Sequence, residues 1–284
     1  MKLVYKLSVL LGLCVLVLLV RSYTNYDGFT NTTLKTIPHH IPASAKASYE
    51  SIIPRKVYMS WKTREIPPLM YETIMNNVKE NPEFDFYIFD DSECRDFILA
   101  NYDEETANAF NALIPGAYKS DLWRYCIINK LGGIYMDIKF KIITPLNTLL
   151  ESQKTRLIKD VNHENHIYQG ILIAKPGEPL INECINKVKM HVKTKFYGDH
   201  PHHPTGPKLV GEIVNSYNMQ NSVDLEVVSI PTAESPYRIK IVDRNMPDIT
   251  YFTDYNEYRI EQKSLQKSEE HYHAYWNNRN MYKD

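Results

Sequence analysis

Residues 119–138 read KSDLWRYCIINKLGGIYMDI, and the fold follows from how this run is divided. Residues 117–131 read as a helix that Gly132 ends. A second glycine, Gly133, follows, and residues 134–137 form a short apolar strand that closes on an aspartate. A ligand site therefore lies at a sheet edge, where the chain leaves a strand.

Outward from this run, strand and helix patterns alternate. Residues 56–61 read as a first strand, followed by the break Pro67-Pro68 and a helix over 69–80. Residues 84–89, FDFYIF, alternate like a strand. Asp90-Asp91-Ser92 offers N-caps for a helix over 93–100, and another helix is expected over 104–113. Later come a strand over 170–174, a helix over 179–192 and a strand over 225–229. Such alternation predicts an α/β fold with a mainly parallel central sheet. In such sheets ligands lie beyond the carboxyl ends of the strands, where Asp137 stands.

The 284 residues suffice for one large domain and an appendage, with 43 % hydrophobic and 24 % charged residues. The formal net charge of −1 provides no basic field for nucleic acid. Of four cysteines, Cys14 lies in an apolar N-terminal run, while Cys94, Cys126 and Cys184 are widely spaced and leave room for one disulfide. The chain has no G-x-G-x-x-G, Walker A or H-E-x-x-H motif. A glycoside hydrolase needs two carboxylates across a cleft, but Asp90-Asp91 reads as a helix start instead.

Residues 7–20, LSVLLGLCVLVLLV, are almost wholly apolar, with Lys2 and Lys6 before them and Arg21 after. The stretch approaches the ~20 residues that span a bilayer. A cleaved signal peptide and an uncleaved anchor both fit, and the lack of small residues at a cleavage site favours the anchor. Positive charge ahead of the run predicts a type II orientation: a cytoplasmic tail over 1–6, a transmembrane segment over 7–21, a stem over 22–51 and a lumenal domain over 52–284, of Golgi or ER type. Asn31-Thr32-Thr33 is an acceptor triplet for N-glycosylation on that side.

The candidate site residues have ordinary readings too. Asp121 and Arg124 share a helix face and make a surface ion pair, Gly132-Gly133 makes a cap and turn, and a strand-end aspartate forms a turn. Taken together, A-x-K-S-D-L-W-R-Y and G-G-I-Y-M-D resemble the glycosyltransferases that contain the Asp-x-Asp sugar-binding motif. That family includes the fungal initiating α-1,6-mannosyltransferase and the mannosyl-inositolphosphoceramide synthases. Residues 53–57 with Trp61-Lys62, 81–84 with Asp90-Asp91, Thr205-Gly206-Pro207, and His271 with Trp276 resemble further family elements. The resemblance implies a GT-A fold and transfer of a hexose, with retention, from a nucleoside diphosphate sugar to a glycan or glycolipid. It also implies Mn²⁺ or Mg²⁺ on the diphosphate. By the same carry-over Asp121, Arg124, Gly132, Gly133, Tyr135 and Trp61 bind the donor, Asp137 and Lys139 are catalytic, and Asp137 holds the metal.

Lys139 departs from the family pattern, because Asp137-Ile138-Lys139 stands where Asp-x-Asp is expected. A protonated lysine does not ligate a hard cation. Three readings follow: Asp137 binds metal with His271 (His273 being its rival); Lys139 meets the diphosphate in the metal's place; or the chain is a non-catalytic relative that binds nucleotide sugar or glycan. The run D-H-P-H-H-P, with His200, His202 and His203, suits a polar loop near the acceptor better than a metal cluster, because prolines interrupt it.

Overall fold

The computed structural model describes residues 33–161, 163–232, 238–255, 257 and 270–283. The expected tail, membrane segment and first part of the stem lie outside these residues. Among the described residues no helix is long and apolar enough to cross a membrane.

In chain order the strands are β1 (Lys35–Thr36), β2 (His40–Ile41), β3 (Lys56–Ser60), β4 (Glu65–Ile66), β5 (Asp85–Phe89), β6 (Gly133–Met136), β7 (Phe140–Ile142), β8 (Arg156–Lys159), β9 (Ile167–Ala174), β10 (Val223–Ser229), β11 (Ile239–Asp243) and β12 (Thr250–Asp254). The helices are α1 (Pro68–Glu80), α2 (Asp91–Asn101), α3 (Glu104–Ala112), α4 (Gly116–Leu131), α5 (Asn147–Leu150), α6 (Pro179–Lys193), α7 (Pro207–Ser216) and α8 (Tyr272–Asn277). The helix start at Asp90 is a full capping box: Asp90 Oδ1 accepts the Glu93 N–H and Glu93 Oε2 accepts the Asp90 N–H, each at 2.9 Å.

Ten strands form one sheet in the order β2-β5-β3-β6-β9-β8-β10-β11-β12-β7. The sheet is mixed, which corrects the mainly parallel expectation. Among the described residues only β5-β3, β3-β6 and β8-β10 pair in parallel. The α/β alternation that predicts parallel pairing holds as far as β6, after which β9 inserts antiparallel beside it. The stem is corrected as well: β1 pairs with β4, and β2 pairs with β5, so the chain from Lys35 onward belongs to the fold.

Strand alternation assigns the two faces of the sheet. Tyr58, Phe89, Tyr135 and Leu172 point into one core with α4, α6 and α7. Val57, Phe86, Ile134, Met136 and Ile173 point into the other with α1. Helix α4 is enclosed rather than amphipathic: Leu122, Trp123, Tyr125, Cys126, Ile127 and Ile128 are all fully buried, and Asp121 and Arg124 are buried among them. Cys94, Cys126 and Cys184 are buried free thiols.

From β3 the chain passes to β5 on one side, and later to β6 on the other. The gap between β3 and β6 is therefore a topological switch point, and Ser60 and Asp137 end those strands at its edge.

The double glycine begins β6 at the opposite end from Asp137. Gly132 (φ +63°) caps α4, and a Cβ there would come within 2.5 Å of the Pro176 ring. Gly133 (φ +109°) lies against β3, and its Cβ would come within 2.6 Å of the Lys56 carbonyl oxygen. Both are explained by packing, and β6 stands between them and Asp137. Gly133→Ala is expected to cost about 2 kcal/mol or more, from the backbone angle and the clash together. A lowered urea midpoint at unchanged slope would show it; an unchanged midpoint would mean β3 yields freely.

Candidate active site

Arg124 is the hub of the site. It projects from α4, is 7 % exposed, and carries a guanidinium that is fully engaged. Its Nη1 donates to the Gln169 carbonyl at 2.6 Å, its Nε to the Ser120 carbonyl at 3.1 Å, and its Nη2 to Ser120 Oγ at 3.0 Å. Asp121 Oδ1 lies 3.5 Å from Nη2 and Asp137 Oδ1 lies 3.6 Å from Nη1. The guanidinium also covers the Tyr135 ring at 4.4 Å, a cation–π contact. A single cation thus joins α4, the end of β6 and the start of β9.

Asp121 is 8 % exposed and accepts a 2.7 Å hydrogen bond from Thr205 Oγ1 on its Oδ2. Burial corrects the surface-pair reading of Asp121 and Arg124. Asp137 Oδ1 accepts from Tyr135 Oη at 2.7 Å, while its Oδ2 lies 3.3 Å from Lys139 Nζ. The Asp137 N–H donates to the Gly170 carbonyl at 2.7 Å, which fixes the strand-end aspartate against β9. The Asp137 and Lys139 side chains are 24 % and 26 % exposed, so this outer pair faces solvent while Asp121 and Arg124 brace it from behind.

The run that carries all four charged residues lies inside a longer recognisable segment. Residues 48–156 match the glycosyltransferase sugar-binding region containing DXD motif. Among similar proteins, inositol phosphoceramide mannosyltransferase 3 of Schizosaccharomyces pombe is 26% identical over 104 residues, which are 37% of this chain and 29% of that protein. The initiation-specific alpha-1,6-mannosyltransferase of the same organism is 21% identical over 219 residues, 67% of this chain and 55% of that protein. The chain spans less than two thirds of the length of either. The solved structure of the PaToxG glycosyltransferase has a TM-score of 0.48 at 14% identity, covering 58% of this chain and 69% of that one.

The matched residues 48–156 hold Asp121, Arg124, Tyr135, Asp137, Lys139, Trp61, Gly132 and Gly133 of the expected set. The first five are brought together. Trp61 stands just beyond β3 at the same sheet edge, half-buried against the other core, with its backbone N–H on the Phe89 carbonyl at 3.0 Å. His271 caps α8, its Nδ1 accepting the His273 N–H at 3.4 Å. The one group of three metal-capable side chains among the described residues contains neither Asp137 nor His271.

The donor set around Asp137 does not fit a divalent cation as arranged. Each carboxylate oxygen faces a positive side chain within 4 Å, so an ion at Oδ2 would first have to displace Lys139. A Mg²⁺ or Mn²⁺ site needs oxygen ligands converging on one point, and here the convergence is of cations on one carboxylate.

Ser120, Tyr168, Gln169, Gly170 and Thr205 complete the site, and sequence reasoning does not assign them there. The Gln169 side chain accepts from Tyr125 Oη, which also donates to the Thr205 carbonyl at 2.7 Å. A Cβ on Gly170 would come within 2.8 Å of Asp137 Oδ2 and 2.6 Å of Tyr168 Oη. A glycine at the head of the apolar run ILIA is the one signal for such a close approach.

Burial pushes the Asp121 carboxyl up to about 6, with Arg124 and the Thr205 hydroxyl opposing. Between the ordinary carboxylate range and about 6 the folded protein keeps a proton that the unfolded chain has already released. Asp121 therefore favours folding below the ordinary carboxylate range, and that contribution is lost as pH rises through about 6. Activity that needs the ionised carboxylate beside Arg124 runs the other way: kcat/KM is expected to rise with an acid limb centred near 6. A limb near 4 in the pH–rate profile would contradict this.

Proposed function

We propose that the chain is a glycosyltransferase of GT-A type. It moves a hexose, mannose in the first instance, from a nucleoside diphosphate sugar to a glycan or glycolipid hydroxyl, with retention of configuration. The observation that carries this reading is the partly exposed Asp137–Lys139 pair, braced by buried Asp121 and Arg124, within the matched sugar-binding region. The names of the similar proteins support mannose.

The bond from the anomeric carbon to the diphosphate breaks and a bond to the acceptor oxygen forms, while the acceptor proton passes to the departing diphosphate. Negative charge builds on that diphosphate. Lys139 meets it at the sheet edge, a preorganised positive group placed where charge develops. Asp137, held by the Tyr135 hydroxyl, keeps Lys139 in position and presents carboxylate oxygen to sugar hydroxyls. Arg124 fixes Asp137 from behind, and Gly170 leaves room for the donor. The apolar run over 7–21 supports anchoring in a membrane with the domain on the lumenal side.

A second reading, binding of nucleotide sugar without transfer, is favoured by Lys139 holding the carboxylate that a metal would use. A thermal-shift and turnover panel of GDP- and UDP-sugars, run with and without EDTA, separates the two. Stabilisation by a donor together with release of nucleoside diphosphate supports transfer, and stabilisation without release supports binding alone. No shift from any donor would overturn both.

A further inference from the structure

Four histidines from two distant segments meet beside the proposed active site. His163 and His166 lie in the turn between β8 and β9, with the His166 N–H donating to the His163 carbonyl at 3.1 Å. His200 and His202 come from the loop between α6 and α7. Ligating atoms of His163, His200 and His202 all lie within 4.8 Å of one another. The His166 ring stands 4.4 Å from that of His163 and 5.3 Å from that of His200, centre to centre.

The outer hydrogen bonds leave ring nitrogens over for a common ligand. His200 Nδ1 accepts the His202 N–H at 3.1 Å, which leaves its Nε2. His202 Nε2 lies 3.0 Å from Tyr272 Oη, which leaves its Nδ1. His202 Nδ1 and His166 Nδ1 are buried without a hydrogen-bond partner, a costly arrangement that a ligand would relieve. His203, in the same run, is different: its nitrogens face Asp199 at 2.9 Å and Glu212 at 3.1 Å. The prolines that argue against a cluster in the sequence instead separate these two sets.

We propose that His163, His200 and His202, with His166 as the fourth ring, bind one Zn²⁺-class transition-metal ion. Imidazole nitrogen suits zinc and its neighbours and does not suit Mg²⁺. A tetrahedral ion has Zn–N bonds of about 2.1 Å, which small ring movements here would meet. The ion would tie together two loops that lead into the site. The first runs into Gln169 and Gly170 of β9, beside Arg124 and Asp137. The second runs through Pro201, whose carbonyl accepts from Tyr118 Oη at 2.8 Å, to Thr205 on Asp121. The first loop also packs tightly on α7 at Gly211, where a Cβ would come within 1.8 Å of the Asn165 carbonyl oxygen. This inference stands independently of the transfer reaction.

Equilibrium dialysis of the chelator-treated full chain against Zn²⁺ and Co²⁺ tests it. One ion per chain is expected, with tetrahedral d–d absorption for Co²⁺ and a melting temperature raised by Zn²⁺ but not by Mg²⁺. His163→Ala and His200→Ala should each weaken binding more than tenfold, the lower bound for losing even an outer partner of a ligand. His203→Ala, whose ring nitrogens face Asp199 and Glu212 instead, should retain binding. In the unmutated Co²⁺ protein, shifted imidazole ring-proton signals count the ligands without any question of misfolding. Absence of stoichiometric binding, absence of shifted imidazole signals, or binding that survives both ligand substitutions would overturn the proposal.

Discussion

Arg124→Met is expected to destabilise the protein by about 3–5 kcal/mol, the range for leaving one partner of a buried ion pair uncompensated. Methionine roughly fills the volume, so the loss is electrostatic rather than a cavity. It strands the Asp121 carboxylate, which is 8 % exposed, and takes donors from two carbonyls and Ser120 Oγ. Arg124→Lys should recover little, because an ammonium lacks the planar fork that reaches Ser120, Gln169 and both carboxylates at once. Adding Asp121→Asn to Arg124→Met should restore part of the loss, a positive coupling between neighbours. Urea unfolding of the four proteins measures this. A loss below about 1 kcal/mol would place the pair among exposed ion pairs and remove its role as the brace of the site.

The same contacts explain what a single sequence reveals. Helix α4 is legible because its apolar residues run on every side and Gly132 must end it. The Asp90 cap is legible because its partner, Glu93, is three residues away. Strands β1 and β2 are only two residues long, too short to carry a period, so the chain from Lys35 reads as stem. Strand β8 opens with Arg156, which breaks the apolar pattern. It is buried because Asp224 and Asp243 from other strands meet it at 3.0 Å and 2.9 Å. In the site, Asp121, Arg124 and Asp137 fall within one run, so their spacing is visible. Gln169 and Thr205 reach them only through the antiparallel insertion of β9 and the loop before α7, and His163 meets His200 only by the same folding.

Lys139→Met is expected to lower kcat by about 10²–10³-fold, the usual effect of removing one preorganised group from developing charge. Stability should change little, because Lys139 is an outer, partly exposed residue and exposed pairs contribute little. EDTA should leave the unmutated rate unchanged. Lys139→Asp is the decisive variant. It restores the Asp-x-Asp pattern and removes the cation that faces Asp137 Oδ2 at 3.3 Å, so two carboxylates become available to one ion. That protein should be inactive in EDTA and partly revived by Mn²⁺, with the metal taking over the charge that Lys139 carries. Steady-state kinetics on the donor identified in the panel distinguishes the cases. If EDTA abolishes the unmutated activity while Lys139→Met leaves it intact, the ion rather than the lysine neutralises the diphosphate. The 3.3 Å pair would then be an arrangement that donor binding must break.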